Sequence, residues 1–493
     1  MVFYLTERHE IRRRPWSGVN EMDKKSPCST TASSTITSGS INARLDRLPA
    51  TRYIWTLVLL LSLGGWFEFY DLFFTAYVGP GLVSSGILAE TTSSFFGFSG
   101  LGAFVAATFA GLFIGTFAFG SLADRFGRRS VFTFSLLWYS VATVVMAFQT
   151  SAGGLNLWRL IGGIGIGIEL VTIDAYVAEL VPAHTRGRAF AVNQLVQFSV
   201  VPFVALLAYL LVPIAPFGLD GWRWVVLIGA AGSVFVWFIR LAVPESPRWL
   251  VQHGRLEAAD RITSRIEARV AAEFSAPLPP PRPAVEPIMG QQAKFAEIWR
   301  PEYRGRTIMM MVFNFFQTIG YYGFASWVPT LLVARGITIT HSLLYSFIIA
   351  IANPIGPLLA MPIADRIERK WVIVFGATGI AAFGIAFSQV NGPVMLIACG
   401  VAITLCSNIM SFGFHAYQPE LFPTRVRARA IGFVYSFSRV GAMFSGFLIA
   451  FCLRHFGTTG VFTLIVGCMA MAMISIGCFG PRTRGLQLEA IAH

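Results

Sequence analysis

The sequence predicts an all-α membrane protein with twelve membrane-spanning helices, arranged as two halves of six that share one orientation. Hydrophobic residues make up 55% of the 493 residues and charged residues only 13%, a balance that excludes a soluble globular protein of this length. Apolar runs of about 20 residues recur along the chain, and a helix of that length crosses roughly 30 Å of hydrocarbon with its backbone hydrogen bonds satisfied. Two loops recur at a fixed spacing, which indicates the duplication.

The predicted spans divide the chain into five segments. Spans 1 to 12 are residues 53–79, 98–121, 131–149, 155–180, 189–213, 222–243, 307–333, 341–364, 371–390, 393–418, 431–453 and 457–479. The segments are a largely disordered cytoplasmic N-terminal tail (1–50), a six-helix bundle (51–243), a cytoplasmic linker with short helices (244–306), a second six-helix bundle (307–480) and a cytoplasmic C-terminal tail (481–493). Residues 41–48 (INARLDRL) predict a short amphipathic helix lying along the cytoplasmic surface, and Met22 offers an alternative start.

The distribution of basic residues predicts the orientation in the membrane. The net charge is +13, and the basic residues cluster after spans 2, 4, 8 and 10, whereas the loops on the other side carry few charges. Short basic loops stay on the cytoplasmic side, so we expect both termini in the cytoplasm and the chain in the plasma (cytoplasmic or inner) membrane. Because topology accounts for the charge, no nucleic-acid partner is expected.

Two loops of the first half recur in the second half at an offset of 241 residues. Asp124, Arg125, Arg128 and Arg129 correspond to Asp365, Arg366, Arg369 and Lys370. Tyr176, Glu179, Pro182, Arg186, Arg188 and Ala189 correspond in the same way to Tyr417, Glu420, Pro423, Arg427, Arg429 and Ala430. The halves are therefore duplicated bundles in one orientation, which places a substrate site near the bilayer midplane between them and makes rocking of the halves the expected mechanism.

The loop G-S-L-A-D-R-F-G-R-R at residues 120–129 resembles the signature loop of the major facilitator superfamily. Three further strings, at residues 159–167 (RLIGGIGIG), 178–188 (AELVPAHTRGR) and 244–250 (PESPRWL), are similar to the sugar porter branch and its organic-ion and metabolite relatives. The resemblance covers essentially the whole chain after residue 50. It implies the major facilitator fold and a secondary transporter that works by alternating access, close to the metabolite (organic acid):proton symporters.

The resemblance also implies a cytoplasmic gate of paired charges. Glutamates of these motifs are expected near the arginines of the loops that follow spans 2 and 8, and a network formed only while the cytoplasmic side is closed would bias the equilibrium between the two open states. The gate residues are Asp124, Arg125, Arg128, Arg129, Glu179, Arg186, Glu245, Arg248, Asp365, Arg366, Arg369, Glu420 and Arg427. The alternative is that the arginines only enforce the membrane orientation.

Ionisable residues at bilayer depth are functional candidates because each one costs several kcal/mol. At ~1.5 Å per residue, Asp71 of span 1 lies about 12 Å and Arg159 of span 4 about 6 Å from the outer helix ends, so the two side chains can pair. In proton-coupled sugar porters, which the chain resembles, the matching positions are the acid that takes up the proton and its arginine. The alternative is a static pair that only orients two helices.

Spans 1 and 4 also carry acids that lack an evident partner. A buried carboxylate of this kind either titrates in a usable range or meets a cationic group of the substrate. The proton-coupling candidates are therefore Asp71, Arg159, Glu68 and Glu169. Asp174 is the weakest of the membrane acids, because it points about 140° away from Glu169 and lies near the interface.

The substrate-binding candidates are Gln194, Gln317, Tyr321, Tyr322, His415, Arg439 and Tyr70. Two of them, Gln194 and Gln317, match glutamines of the sugar porter pattern and can hydrogen-bond hydroxyl or carboxylate oxygens. The pattern is broken at Phe316, Tyr322 and His415, which replace two amides and the tryptophan that stacks on sugar rings. These departures argue against a simple hexose.

Arg439 in span 11 favours a charged substrate instead. Arginine can bind a carboxylate through two hydrogen bonds, and tyrosines suit a flat ring. The alternative for Arg439 is a salt bridge to Glu169 or another acid.

The predicted function is proton-coupled symport of a small organic acid, with an aromatic carboxylate as one option. A sugar, polyol or sugar acid is the first alternative, and efflux of an organic cation or drug is the second. The sequence has no nucleotide-binding loop, no metal-ligand cluster and no nucleophile with a base in its loops, so we expect neither an enzyme nor a cofactor nor a metal site. The expected partners are the substrate, protons and the lipid bilayer, and the protein is expected to be a monomer.

Overall fold

The computed structural model describes residues 38–88, 93–95, 98–119, 122–232, 235, 238–239, 242–281, 295–364, 367–422 and 424–483. Its α-helices are α1 (Ser38–Asp46), α2 (Arg52–Ser84), α3 (Gly100–Phe119), α4 (Leu122–Phe126), α5 (Arg128–Ala147), α6 (Ala152–Leu180), α7 (Arg186–Phe198), α8 (Val200–Leu211), α9 (Gly221–Ala231), α10 (Pro247–Gln252), α11 (Leu256–Glu273), α12 (Pro301–Ala325), α13 (Val328–Ala334), α14 (Ile339–Ala350), α15 (Ala352–Ala364), α16 (Arg369–Gln389), α17 (Pro393–Tyr417) and α18 (Thr424–Phe479). A short antiparallel hairpin, β1 (Ser93–Phe95) with β2 (Phe98–Ser99), precedes α3 and was not expected from the apolar pattern.

The predicted membrane spans coincide with helices wherever the structure describes them, with span 6 represented by Gly221–Ala231, and this confirms the all-α fold. Spans 5, 7 and 8 each consist of two consecutive helices, namely α7 with α8, α12 with α13, and α14 with α15. Spans 11 and 12 are the two parts of α18, which breaks at Gly457 (φ 64°, ψ −163°). Within the described ranges, nine helical stretches are long and apolar enough to cross a membrane, and one of them, Arg429–Phe479, contains spans 11 and 12 together.

The internal repeat is visible as matching contacts in the two halves. Each half joins an arginine to a glutamate and a tyrosine hydroxyl to a proline carbonyl oxygen. The ion pairs are Arg128 with Glu179 and Arg369 with Glu420, and the hydroxyl contacts are Tyr176 with Pro244 (2.6 Å) and Tyr417 with Pro481 (2.7 Å). The arginines, glutamates and tyrosines are related by the offset of 241 residues found in the sequence. The duplicated loops therefore fold in the same way.

Two glycines bring α3 and α6 together next to the buried arginine of α6. A Cβ atom on Gly163 would lie 2.6 Å from the Thr108 carbonyl oxygen and 3.1 Å from the Gly111 Cα atom. Small residues allow such close backbone approach between membrane helices. Because Arg159 lies one turn before Gly163, this contact places Arg159 against Thr108 of α3.

The two halves are in contact through α3 and α18 on the side of the bundle away from the linker. A Cβ atom on Gly102 would lie 2.7 Å from the Ala450 Cβ atom and 3.2 Å from the Gly446 carbonyl oxygen. The halves are therefore closed against each other on this side. The opposite side, which carries α1, α10 and α11, is called the linker side below.

Helix α1 packs on α11, which changes the prediction for the N-terminal tail. Residues 1–37 of the predicted disordered tail lie outside the described residues, but residues 38–46 form α1. Ile41 and Leu45 are buried in one cluster with Ile266 and Val270 of α11. The predicted amphipathic helix is present, but its apolar face covers the apolar stripe of α11 instead of the membrane surface, because burial removes both stripes from water.

Charged contacts hold α1 on α11. Arg44 donates to Asp260 (2.5 Å) and to both carboxylate oxygens of Glu267 (2.6–3.2 Å), and Arg47 donates to Glu267 (2.7 Å). Partial burial acts to raise the pKa of Glu267, but the hydrogen bonds from Arg44 and Arg47 outweigh it and hold this pKa below its usual value.

Candidate functional site

A cavity lies between the two halves of the bundle. It encloses about 930 Å³ when the space open to solvent is counted. Its walls come from both halves and are formed by Glu68, Phe69, Leu72, Phe73, Asp174, Gln194, Gln197, Phe198, Gln317, Thr318, Tyr321, Tyr322, Ser411, Phe414, His415, Tyr435, Ser438 and Arg439. Asp174 and His415 are exposed although they lie within helices of the bundle, near the linker-side ends. The cavity is therefore open toward the linker side.

The predicted pair of Asp71 and Arg159 is formed, and every group around it is buried. Arg159 Nη1 lies 2.8 Å from Asp71 Oδ2, and Arg159 Nη2 donates to the backbone carbonyl oxygen of Asp71 at 2.6 Å. Three threonines complete the cluster: Thr143 donates to Asp71 Oδ1 (2.8 Å), while Thr108 (2.9 Å) and Thr75 accept from Arg159. Asp71 is 4% exposed and Arg159 1% exposed, so the pair is held in a dry site beside the cavity.

Aromatic rings cover the guanidinium of Arg159. Its Cζ atom lies 4.4 Å from the ring centroid of Phe74 and 5.6 Å from that of Phe104. A cation over the face of an aromatic ring is stabilised, and more so when water is excluded. The pair is thus satisfied by polar groups at its edges and by rings on its faces.

The two remaining proton-coupling candidates, Glu68 and Glu169, are neighbours on α2 and α6. Glu68 is 1% exposed and lies on the cavity wall, whereas Glu169 is fully buried behind the wall. The two carboxylates are close enough to repel each other. The Ser135 hydroxyl donates to Glu169 Oε2 at 3.5 Å, while Oε1 of each glutamate lacks a hydrogen-bond partner among the described residues.

Arg439 of α18 is a buried cation on the cavity wall. It is 4% exposed, its guanidinium carbon lies 5.1 Å from the ring centroid of Tyr435, and the group sits beside the Tyr322 hydroxyl. Among the described residues no ion pair joins Arg439 to Glu169 or to another acid, although Glu68 acts on it through space. The role of Arg439 stays a prediction. Its Nε atom has no hydrogen-bond partner in the same residues.

The other predicted substrate residues on the cavity wall are amides, tyrosines and a histidine. Gln194, Gln317, Tyr321 and Tyr322 all line the cavity. Gln317 Nε2 donates to the Thr318 hydroxyl at 2.7 Å and leaves its carbonyl oxygen for another donor. His415 also lines the cavity, and its Nδ1 lies 2.8 Å from the Ser411 carbonyl oxygen. Because a carbonyl oxygen only accepts, Nδ1 carries the proton and Nε2 is left for another partner.

Tyr70, also predicted as a substrate residue, does not line this cavity. It is 1% exposed and its hydroxyl donates to the Val225 carbonyl oxygen of the neighbouring helix α9 at 2.7 Å. One residue along a helix turns the side chain by about 100°, so Phe69 faces the cavity and Tyr70 faces away from it.

Several residues of the cavity wall were not among the predicted site residues. Asp174 was ranked last among the membrane acids, yet it is exposed on the wall, with the Asn193 amide 3.5 Å away. Tyr435 and Ser438 lie on the same wall as Arg439. The spacing of four residues between Tyr435 and Arg439 places both on one helix face and is the signal that could have identified Tyr435.

Glu245 of the predicted gate acts at the start of α5. Its Oε1 atom accepts the backbone N–H groups of Arg128 (3.1 Å), Arg129 (3.2 Å) and Ser246 (3.0 Å). A carboxylate at a helix N-terminus satisfies free N–H groups and complements the helix dipole. Gly127 precedes α5 at φ 96°, and a Cβ atom there would lie 2.6 Å from Glu245 Oε2, so this position requires glycine.

The remaining gate residues form contacts within one half or with α1. Arg128 and Glu179 are 2.9 Å apart in the first half, and Arg369 pairs with Glu420 in the second half. The other members are placed as follows: Arg248 pairs with Asp46 of α1 (2.6 Å), Arg186 lies near that pair, and the exposed Arg125 lies over the ring of Phe126. The side chains of Asp124 and Arg427, and residues Asp365 and Arg366, lie outside what the structure describes. The latch role stays a prediction.

The fold and this cavity define a secondary transporter: two duplicated helical halves enclose a polar site that is open on one side and closed on the other. A family model described as "Sugar (and other) transporter" matches residues 57–493, and the chain belongs to this family of major facilitator transporters. The predicted major facilitator fold, with twelve membrane-spanning helices, is confirmed.

Known relatives agree with this assignment over nearly their full length. The chain is 30% identical over 446 residues to the putative metabolite transport protein YyaJ of Bacillus subtilis (90% of this chain, 96% of the relative). It is 28% identical over 454 residues to the niacin transporter NiaP of Acinetobacter baylyi (91% and 99%). A partially occluded inward-open structure of the xylose transporter XylE from E. coli has the same fold, with TM-score 0.70 at 22% identity, covering 88% of this chain and 99% of that one. Both sequence relatives are transport proteins, in agreement with the prediction that the chain is not an enzyme.

Proposed function

We propose that the chain is a proton-coupled symporter of small organic acids, with aromatic carboxylates as the preferred class. The observation that carries this proposal is Arg439, a buried arginine on the cavity wall whose Nε lacks a partner among the described residues. A cation at this depth costs several kcal/mol, and an incoming carboxylate would offset that cost. The planar guanidinium can hold a carboxylate through two parallel hydrogen bonds.

The surroundings of Arg439 favour a flat acid. Tyr322 places its hydroxyl beside the guanidinium, and the Phe69, Phe73 and Tyr321 rings line the same cavity. Aromatic walls of this kind bind a planar ring by stacking or edge contacts. The related niacin transporter NiaP is named for a pyridinecarboxylic acid, and this supports the same substrate class for the present chain.

Two alternatives have specific support. Gln194 and Gln317 on the wall can hydrogen-bond hydroxyl groups and favour a sugar, polyol or sugar acid, as in the similarly folded xylose transporter. Glu68 and Asp174 present carboxylates to the same space and favour an organic cation, which is the efflux alternative. Arg439 discriminates against the cation because it would repel it.

Asp71 and Arg159 are proposed to couple the proton to transport. A proton that binds a carboxylate oxygen of Asp71 removes the charge facing Arg159, and the guanidinium then keeps only its bonds to the backbone and the threonines. The helices α2 and α6 are released from their charged contact, which lets the first half change its packing against the second. When Asp71 releases its proton to water on the opposite side of the membrane, the ion pair with Arg159 forms again.

The orientation follows from the basic loops. The linker side carries the arginine-rich motifs and is proposed to face the cytoplasm, with both termini there and the protein in the cytoplasmic (inner) membrane. The conformation described is then inward-open. In the outward-open state the gate residues of the two halves would approach each other, and a monomer is sufficient for this cycle.

Uptake of labelled nicotinate into proteoliposomes tests the proposal. We expect uptake that rises with an inward proton gradient and is abolished by a protonophore, while xylose uptake stays at background. In Arg439→Lys the charge remains but the planar fork is lost, so nicotinate affinity should fall at least about tenfold. Uptake of xylose, or nicotinate affinity that Arg439→Lys leaves unchanged, would refute the organic-acid assignment.

A further inference from the structure

Two buried groups of opposite charge share the cavity wall without forming an ion pair. Glu68 lies on α2 of the first half and Arg439 on α18 of the second half, and both line the cavity. The two groups are near enough to interact through space, but among the described side chains they are not joined by an ion pair. Glu68 Oε1 and Arg439 Nε each lack a hydrogen-bond partner within the same part of the chain.

Burial makes this arrangement costly unless something satisfies both groups. Glu68 is 1% exposed and Arg439 is 4% exposed, so bulk water reaches neither side chain freely. An unpaired buried donor or acceptor costs the full price of its lost hydration. A ligand that satisfied only Arg439 would leave the Glu68 oxygen without a partner.

We infer that the cavity is a bipolar site for small molecules that carry both a carboxylate and a basic nitrogen, with the carboxylate on Arg439 and the nitrogen on Glu68. This inference rests on the proposed function and narrows its substrate class. Its ligands are amino acids or nitrogen-heterocyclic acids rather than plain carboxylic acids.

One proton joins Glu68 to the ligand nitrogen in either of two equivalent ways. A protonated Glu68 donates its O–H to a ring nitrogen, or an ionised Glu68 accepts the N–H of the protonated ring. The two arrangements differ only in whether the shared proton is bonded to the Glu68 oxygen or to the ligand nitrogen. The contact therefore needs no further reactant.

Several charged or titratable groups surround Glu68. They are Asp174 and Glu169 from α6, Tyr139 from α5, Tyr322 from α12 and Arg439 from α18. The acids on α6 repel an ionised Glu68, and a basic nitrogen of the ligand would offset this repulsion.

The bipolar site also connects binding to transport. A ligand that bridges α2 and α18 pulls the two halves toward each other around it, whereas a ligand held by Arg439 alone contacts the second half only. Since a ligand shifts an equilibrium only by its differential affinity for the two states, bridging ligands should drive closure. Plain acids should then bind but move slowly.

Three ligands of nearly equal size separate these contributions in the purified full-length protein. Nicotinate carries both groups, benzoate lacks the ring nitrogen and nicotinamide lacks the carboxylate. We expect nicotinate to bind at least about tenfold more tightly than benzoate, the effect of one hydrogen bond to a charged group, and nicotinamide to bind weakly. Binding is measured by titration calorimetry and transport by uptake into proteoliposomes.

Variants of Glu68 then assign the preference to one side chain. Glu68→Leu should remove the preference for nicotinate over benzoate, while Glu68→Gln should keep part of this preference because its amide N–H can donate to a ring nitrogen. Melting temperatures of all variants show whether each one is folded.

The outcomes distinguish this inference from the proposed function. If both acids bind through Arg439 but their affinity ratio does not depend on Glu68, or if the wild type shows no preference, the bipolar site is refuted and the organic-acid function stands. If neither acid binds and Arg439→Lys has no effect, both proposals fail. A ratio that collapses in Glu68→Leu and is partly kept in Glu68→Gln supports the bipolar site.

Discussion

The buried pair of Asp71 and Arg159 offers a direct test of proton coupling, because its charge can be removed with little change in shape. Asp71→Asn keeps the size of the side chain and an oxygen that can accept from Thr143, but it removes the charge 2.8 Å from Arg159. Arg159 is 1% exposed and would remain as an uncompensated buried cation. Breaking a buried pair in this way costs about 3–5 kcal/mol, so the melting temperature of the purified variant should fall markedly.

Transport separates the structural effect from the coupling effect. Asparagine cannot take up a proton, so Asp71→Asn should lose nicotinate accumulation driven by an inward proton gradient. Exchange of internal for external nicotinate needs no net proton movement, because the loaded carrier returns loaded, and it should persist. Both are measured in the same proteoliposomes with and without nicotinate inside.

A double variant provides the control. Asp71→Asn with Arg159→Gln removes both charges, so no buried charge is left without a partner. We expect the melting temperature to recover while accumulation stays lost. Thr143→Val removes only one hydrogen bond to Asp71, about 1 kcal/mol, and should keep accumulation. Accumulation that returns in the double variant would show that the pair only holds the helices together.

Two further predictions concern the parts of the chain that surround the site. Because the pKa of Glu267 is lowered in the folded protein, its contacts with Arg44 and Arg47 are complete above its unfolded pKa of about 4.3 and are lost as the pH falls through the lower folded value, so α1 should detach in acid. Glu267→Gln should cause the same detachment at neutral pH, measured as faster tryptic cleavage after Arg44. Unchanged cleavage would contradict this prediction. Gly102→Val adds a side chain whose Cβ atom would lie 2.7 Å from the Ala450 Cβ atom, so the two halves should fail to close on the side away from the linker. Nicotinate uptake should fall at least about tenfold while nicotinate binding is retained. Full uptake would show that this contact is not part of the transport cycle.

The spans, the duplication and the paired charges were accessible from sequence because each depends on local patterns. Apolar length defines a span, and the common offset of 241 residues links Arg128 and Glu179 to Arg369 and Glu420, which form equivalent ion pairs. The contact between Asp71 and Arg159 was predicted from their depths together with the resemblance to proton-coupled sugar porters.

The rotation of each helix and its neighbours were less accessible. An error of one residue turns a side chain by about 100°, which is the difference between Phe69 on the wall and Tyr70 against Val225. The apolar face of α1 was correctly recognised, but only the fold shows that α11 covers it. The threonines around Asp71 could not be identified from the sequence, because they are uncharged and do not follow a recognisable helical pattern.

The duplication also shows where the two halves have diverged. The offset that relates the gate residues places Gly400 opposite Arg159 and Met410 opposite Glu169, so the second half has lost the charges that the first half keeps in the same helix. Arg439 supplies a charge from the second half at the cavity instead. Asp174 corresponds to His415, and both are exposed on the cavity wall. The loops that must fold alike in both halves have stayed alike, whereas the membrane charges differ, as expected if the first half handles the proton and the second half holds the carboxylate.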